Sequence, residues 1–330
     1  VYLPEKEYLE LMNCSEFTID LSGWKLRIGN SWFTFPQKRV SPGELLLICE
    51  PDAAYARDFP ENVLPLFRSV YTIGNTEEEL VLRNHLNELI DAVNFSVRWY
   101  DDEYKSDGGW SMERIRCDKK CSGKENWLPS ISDNGGTPLE VNSVNGNLME
   151  ENPLFLKEIK YRGGETFGFI LNREVPDTGL LNASGYRKIT GNARISGIVP
   201  LEPFNNAFSV QITSVDSFSL CQWRFKNSAI DCAELSYYLS DTLKFALPAK
   251  LKPLDLIITE LLFDPLPGCA EYIEIYNRSG QTLNLFDLSI SISSETVIGR
   301  DVLLFTDSVL IFPGEYMVLT KDPEAITTNF

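Results

Sequence analysis

Two stretches far apart in this chain spell the same pattern in the same order, and that constrains its fold more than any other feature. Glu7-Tyr8-Leu9-Glu10-Leu11-Met12-Asn13-Cys14-Ser15 recurs as Glu271-Tyr272-Ile273-Glu274-Ile275-Tyr276-Asn277-Arg278-Ser279. In the same frame, Thr18-Ile19-Asp20-Leu21 returns as Thr282-Leu283-Asn284-Leu285. After a small insertion, Pro42-Gly43-Glu44-Leu45-Leu46-Leu47-Ile48 returns as Pro313-Gly314-Glu315-Tyr316-Met317-Val318-Leu319. Self-similarity of this kind marks one structural unit used twice. Residues 1–150 and 254–330 are therefore expected to be copies of one module. The second copy has a strand-like lead-in, Leu256 to Phe263 before Asp264-Pro265, and residue 1 aligns just after it. The first copy is thus expected to lack its opening strand, the second to stop about halfway, and the chain to be a piece of a longer protein.

The unit reads as β. Tyr8 to Met12 is a short apolar run bounded by polar residues, and Leu45 to Cys49 is a run of five, short enough for a buried strand. Asp20 to Trp24 reads as a turn into a strand. Leu80-Val81-Leu82 and Leu89 to Phe95 flank the polar tip Asn84-His85-Leu86-Asn87, a hairpin signature. Asp52 is placed to cap a turn or two of helix over Ala53 to Phe59. Between the copies, residues 141–153 read as a linker. Residues 151–250 then carry apolar runs at Phe167–Leu171, Phe208–Ile212 and Leu243–Leu247, the size and pattern of an Ig-like sandwich. Pro248 to Pro253 make a second, stiff linker. The expected fold class is all-β, tandem Ig-like β-sandwich domains.

The charge balance excludes some functions. Lys and Arg number 30 against 47 Asp and Glu, a net charge of −17. Nucleic-acid binders carry a basic face, so no nucleic-acid partner is expected. No apolar run approaches the ~20 residues that span a bilayer. The seven cysteines exceed the cytosolic habit. Local disulfides Cys117–Cys121 and Cys221–Cys232 are expected, Cys14 could meet Cys49 if their strands are neighbours, and buried free thiols are the alternative.

The first copy resembles the bacterial lamin tail domain, an Ig-like β-sandwich, through Glu7–Asn13, Ile19–Trp24, Pro42-Gly43-Glu44, Gly108–Arg114, Asn126-Trp127, Gly135–Pro138 and Asn142-Ser143. The second copy resembles the opening half through Ile258-Thr259-Glu260 and Glu271–Asn277, with Phe286 departing from the pattern. The middle domain is similar to bacterial S-layer-type Ig-like domains through Asp231-Cys232-Ala233 and Phe245–Pro248. The resemblance implies an exported location, at the cell surface, outer-membrane-associated or periplasmic. Such modules sometimes stand beside phosphoesterases or nucleases. It implies no activity, because a fold does not fix a function.

Little in the chain points to catalysis. The single histidine, His85, lies at a hairpin tip, where a Ser-His-Asp or Cys-His site would have to use it. One histidine also rules out a zincin motif, and Gly163–Gly168 lacks phosphate-loop spacing. The acidic run Asp101-Asp102-Glu103 with Asp107 is the calcium candidate, though Lys105 and Ser106 stand where an EF-hand wants a ligand and a glycine. Glu7 and Glu10, three apart on a strand, point to opposite faces and cannot share a substrate. Glu77-Glu78-Glu79 reads as an exposed turn. Trp24 and Trp99 are expected in strands within the core, and Trp110 and Trp127, beside loops, are the ligand-contact aromatics. The expectation is a non-catalytic surface module for scaffolding, adhesion or binding a protein or glycan partner. The alternative is an accessory region of an exported hydrolase whose catalytic domain lies outside this chain.

Overall fold

The computed structural model describes residues 6–51, 53, 58–67, 72–119, 121–147, 153–176, 178–213, 220–239, 241–266, 269–294, 297–323 and 326. It is an all-β protein. In the first module, the strands Ser31–Thr34, Lys25–Ile28, Glu77–Arg83 and Leu89–Ser96 form one antiparallel sheet in that order. Opposite it, Tyr8–Met12, Leu45–Cys49 and Val63–Leu64 form a second sheet, the last pair parallel. Side chains alternate across a strand, and Leu45–Cys49 shows why its apolar run is unbroken. Leu46 and Ile48 enter the core between the sheets with Trp24, Leu26, Phe35 and Leu80. Leu47 and Cys49 point the other way, into a smaller cluster with Ala53, Val63, Tyr8 and Leu139.

The middle module pairs a four-stranded sheet, Leu156–Gly163, Thr166–Leu171, Ala207–Thr213 and Arg194–Pro200, with a three-stranded one, Tyr186–Thr190, Cys221–Phe225 and Thr242–Phe245. Phe245 is fully buried, its ring centroid 5.3 Å from that of Phe167 and 5.1 Å from that of Phe169. In the last module, Tyr272–Asn277 lies between Leu256–Leu262 and Tyr316–Thr320. Its core holds Ile275, Leu283, Leu285 and Ile311.

The repeat is structural to the level of single hydrogen bonds. Tyr8, Glu10 and Met12 face Cys49, Leu47 and Leu45; Tyr272, Glu274 and Tyr276 face Thr320, Val318 and Tyr316. Asn13 closes the first turn from the inside. Its Nδ2 donates to the carbonyls of Phe17 and Val40, and its Oδ1 accepts from the N–H and hydroxyl of Ser15. Asn277 repeats this with Gln281, Ile311 and Ser279. Gly43 and Gly314 donate to the carbonyls of Asn13 and Asn277 from the left-handed region, at φ 75° and 77°. There a side chain would be strained, which accounts for the glycine in the repeated Pro-Gly-Glu.

Some expectations need correcting. Glu77-Glu78-Glu79 is not a turn but the start of the Glu77–Arg83 strand, where Glu79 pairs with Arg27. Trp99 lies in the 3-10 turn Val97–Tyr100, half-buried rather than in a core strand. Residues 142–144 are no linker. Asn142 donates to the Arg114 carbonyl, Ser143 to Glu113, and Val144 is fully buried, so they belong to the first module's packing. Most of the expected helix after Asp52 lies outside the described residues.

Candidate functional site

The most chemically unusual place in the molecule is where the first and middle modules meet. On the first module's side, Asn126 organises the loop. It is fully buried; its Oδ1 accepts the Arg116 N–H, and its Nδ2 donates to the carbonyls of Arg116 and Cys121. These bonds tie Arg116 and Cys121 to one side chain and so fix the position of Cys121. The 3-10 turn Lys124–Asn126 follows, carrying Glu125, which is buried. A Cβ at Gly123 would lie 2.5 Å from the Glu125 carboxylate, so a larger residue there would push that carboxylate from its place.

The middle module contributes the turn after Ser228–Ile230. Asp231 shapes it by accepting the N–H groups of Ala233 and Leu235 on one oxygen. Its other oxygen takes Arg173 Nη1 at 2.8 Å, a fully buried ion pair. Arg173 lies over the Tyr237 ring at 5.0 Å and donates to its hydroxyl. The Cys232 N–H donates to the Glu174 carbonyl.

These two loops are joined covalently. Cys121 and Cys232 form a disulfide across 111 residues of sequence, with Cα atoms 5.0 Å apart. Beside it, Lys119 pairs with Glu234 at 2.6 Å and the Ser122 N–H serves the Glu174 carboxyl; elsewhere between the two modules, Arg83 pairs with Glu202 at 2.9 Å. Glu125 Oε1 lies 3.4 Å from the Cys232 sulfur. Burial raises the affinity of Glu125 for its proton; burial and the charge of Glu125 push Glu174 up to about 8. A shallow cleft lined by Asp118, Lys119, Pro176, Ile230 and Glu234 reaches Cys232 from solvent.

The expected local disulfides are therefore overturned. Cys221 is buried in its strand, where its sulfur accepts the Ala193 N–H at 3.3 Å, and it faces the middle core rather than Cys232. Cys117 is exposed and meets Cys14, whose thiol is pushed up to about 12 by burial and the hydrogen bond with Cys117. Cys49 is buried inside the first module, in the cluster with Leu47 and Val63, whereas Cys14 is exposed. The pairing that forms crosses two modules, and no spacing rule reaches that far.

The acidic loop does not gather its carboxylates. Asp102 caps the four-residue helix Glu103–Ser106 by accepting the Tyr104 and Lys105 N–H groups, Glu103 opens that helix, Asp107 closes it, and Asp101 pairs with Lys124. Among the described residues, the one group of Cys, His, Asp or Glu with metal-like spacing is Cys121, Glu125 and Cys232. Trp110 has Lys105 Nζ over its ring at 4.6 Å and Tyr104 at its edge; Trp127 has the Arg114 guanidinium at 5.1 Å. Each ring has a cation from this chain over it. His85 stays at its hairpin tip, between Glu77–Arg83 and Leu89–Ser96.

The junction of the middle and last modules is non-covalent. Lys160 pairs with Asp307, Lys244 pairs with Glu315 at 2.6 Å, and the Tyr161 N–H donates to Ser308 Oγ. Leu310 packs against the middle core, and Ala249 bridges to Leu283. No helix among the described residues is long and apolar enough to cross a membrane. No protein-family model and no curated protein matches the chain.

Proposed function

We propose that this chain is a non-catalytic, exported scaffold of lamin-tail-like and Ig-like modules. It holds its sandwiches in fixed order at the cell surface, outer membrane or periplasm and presents a surface to a protein or glycan partner. The observation that carries this reading is the Cys121–Cys232 disulfide between modules. Disulfides persist in oxidising compartments and are rare in the cytosol. A covalent tie between two sandwiches restrains their relative motion, which is useful in a spacer, and the ion pairs to the last module extend the restraint.

The test is made on the native protein. Cells are treated with a membrane-impermeant thiol and amine reagent before fractionation, and the chain is then digested without reduction and mapped by mass spectrometry. The expected result is labelling from outside or recovery in the periplasmic fraction, with the Cys121 and Cys232 peptides linked. A chain recovered only from the cytosol with both cysteines reduced would overturn the proposal.

A further inference from the structure

The junction contains a set of donors that a plain structural disulfide does not require. Beside the two sulfurs sits Glu125, a carboxylate more than nine-tenths buried. Its Oε1 faces the Cys232 sulfur at 3.4 Å, yet a disulfide sulfur has no hydrogen to donate. Its carboxyl accepts the backbone N–H groups of Gly123 and of Glu125 itself, but burying an acid remains costly unless a full positive charge answers it. The buried guanidinium nearby, Arg173, already pairs with Asp231 and lies over Tyr237. Around this point three buried carboxylates, Glu125, Glu174 and Asp231, accompany that one buried cation.

The distances fit a tetrahedral metal. Zinc bound at about 2.3 Å to sulfur and about 2.0 Å to oxygen sets a sulfur–oxygen edge of about 3.5 Å and a sulfur–sulfur edge of about 3.8 Å. The existing sulfur–oxygen separation is 3.4 Å, and the donor atoms of Cys121, Glu125 and Cys232 all lie within 4.8 Å of one another. Parting the sulfurs to the tetrahedral edge needs side-chain rotation within that space. Thiolates also select zinc over the harder magnesium and calcium ions.

We propose that, when the Cys121–Cys232 disulfide is reduced, Cys121, Glu125 and Cys232 bind one zinc ion, so that the junction has two alternative fastenings, a disulfide and a metal. The reductant is a dithiol, which reaches Cys232 through the adjoining cleft. It gives two electrons and two protons to the S–S bond and leaves as its own disulfide, and two protein thiols remain. Zinc then displaces both thiol protons and takes the Glu125 carboxylate as its third protein ligand, with water in the fourth position. Oxidation by another disulfide reverses the sequence and releases the ion. The inference concerns the junction's chemistry and stands whether or not the chain is exported.

Cobalt(II) is the probe, because thiolate ligation gives it intense near-ultraviolet absorption and tetrahedral geometry gives strong visible bands. The full chain carries Cys14→Ser and Cys117→Ser, which removes the other thiol pair, and is titrated anaerobically before and after reduction by a phosphine that is then removed. One equivalent binding with the tetrahedral thiolate spectrum in the reduced protein, and none in the oxidised protein, is expected. Glu125→Gln is expected to weaken binding by about tenfold or more, and Cys232→Ser to abolish the thiolate spectrum's two-sulfur intensity. Wild-type protein supplies a measurement free of folding defects: zinc should shield Cys121 and Cys232, but not Cys14, from alkylation mapped by mass spectrometry. Absence of a cobalt spectrum in the reduced chain, or binding unchanged by both substitutions, overturns the proposal.

Discussion

The first and last modules carry the same strand pair in the same register, and they differ in what lies on its outer face. In the first, the face formed by Tyr8, Glu10, Leu47 and Cys49 is covered: Leu47 and Cys49 have no solvent exposure, Leu139 packs on them, and the Leu139 N–H donates to Glu10 at 2.6 Å. In the last, Val318 and Tyr316 stand where Leu47 and Leu45 do, and they are 40% and 60% exposed. Tyr316 stacks on its neighbour Tyr276, with ring centroids 4.5 Å apart. Glu274, the counterpart of Glu10, takes a hydroxyl from Thr259 on the adjoining strand. The inner halves are the same, down to the asparagine that ties the turn. The comparison separates what makes this module fold, the Asn knot and the inner apolar face, from what its outer face is free to vary.

The largest effect should fall on the outer face, and in one module only. Leu47→Ala leaves a cavity between two packed layers and is expected to destabilise the first module by about 3 kcal/mol. Val318→Ala at the equivalent position should cost less than about 1 kcal/mol, because water already reaches that side chain. Hydrogen exchange resolved by module measures both, and equal losses would show that the last module's outer face is covered in solution. A smaller but symmetrical effect is expected inside. Asn13→Ala and Asn277→Ala each remove two donors to buried carbonyls and one acceptor, for about 2 kcal/mol apiece. A loss at one site without the other would mean that the two knots are alike in geometry and unlike in energy.

Much of the inner half could be read from residues alone. The run Leu45–Cys49 declared a buried strand, and the repeat fixed which strands correspond. The Asn knot also leaves a signal in the repeat, since Asn13-Cys14-Ser15 and Asn277-Arg278-Ser279 share their first and third residues, the two that bond to each other. The junction was less legible. Cys121 and Cys232 lie in separate modules, and their meeting depends on how two sandwiches pack, which local spacing does not encode. Glu125 carries no motif of its own; its burial against a sulfur sets it apart. The acidic run at Asp101–Asp107 misled for the opposite reason. Its charges are close in sequence, but Asp102 spends its oxygen on a helix cap and Asp101 turns to Lys124.

The subtlest distinction between the two faces is electrostatic. Burial under the covering segment pushes Glu10 up to about 7, the nearby Glu113 charge adds to this, and the Leu139 N–H works against it. An unfolded glutamate titrates near 4.5. Between those values the folded module holds a proton that the unfolded chain has lost, so folding stability falls as pH rises through that window. Glu10→Gln keeps an oxygen for the Leu139 N–H and removes the titration. Urea midpoints measured from pH 4.5 to 7.5 should therefore decline more steeply in wild type than in this variant. Glu174 titrates higher and in both proteins alike, so it cancels in the difference. If Glu10→Gln keeps that slope, water enters beneath the covering segment, and the two outer faces are closer in environment than their side-chain packing implies.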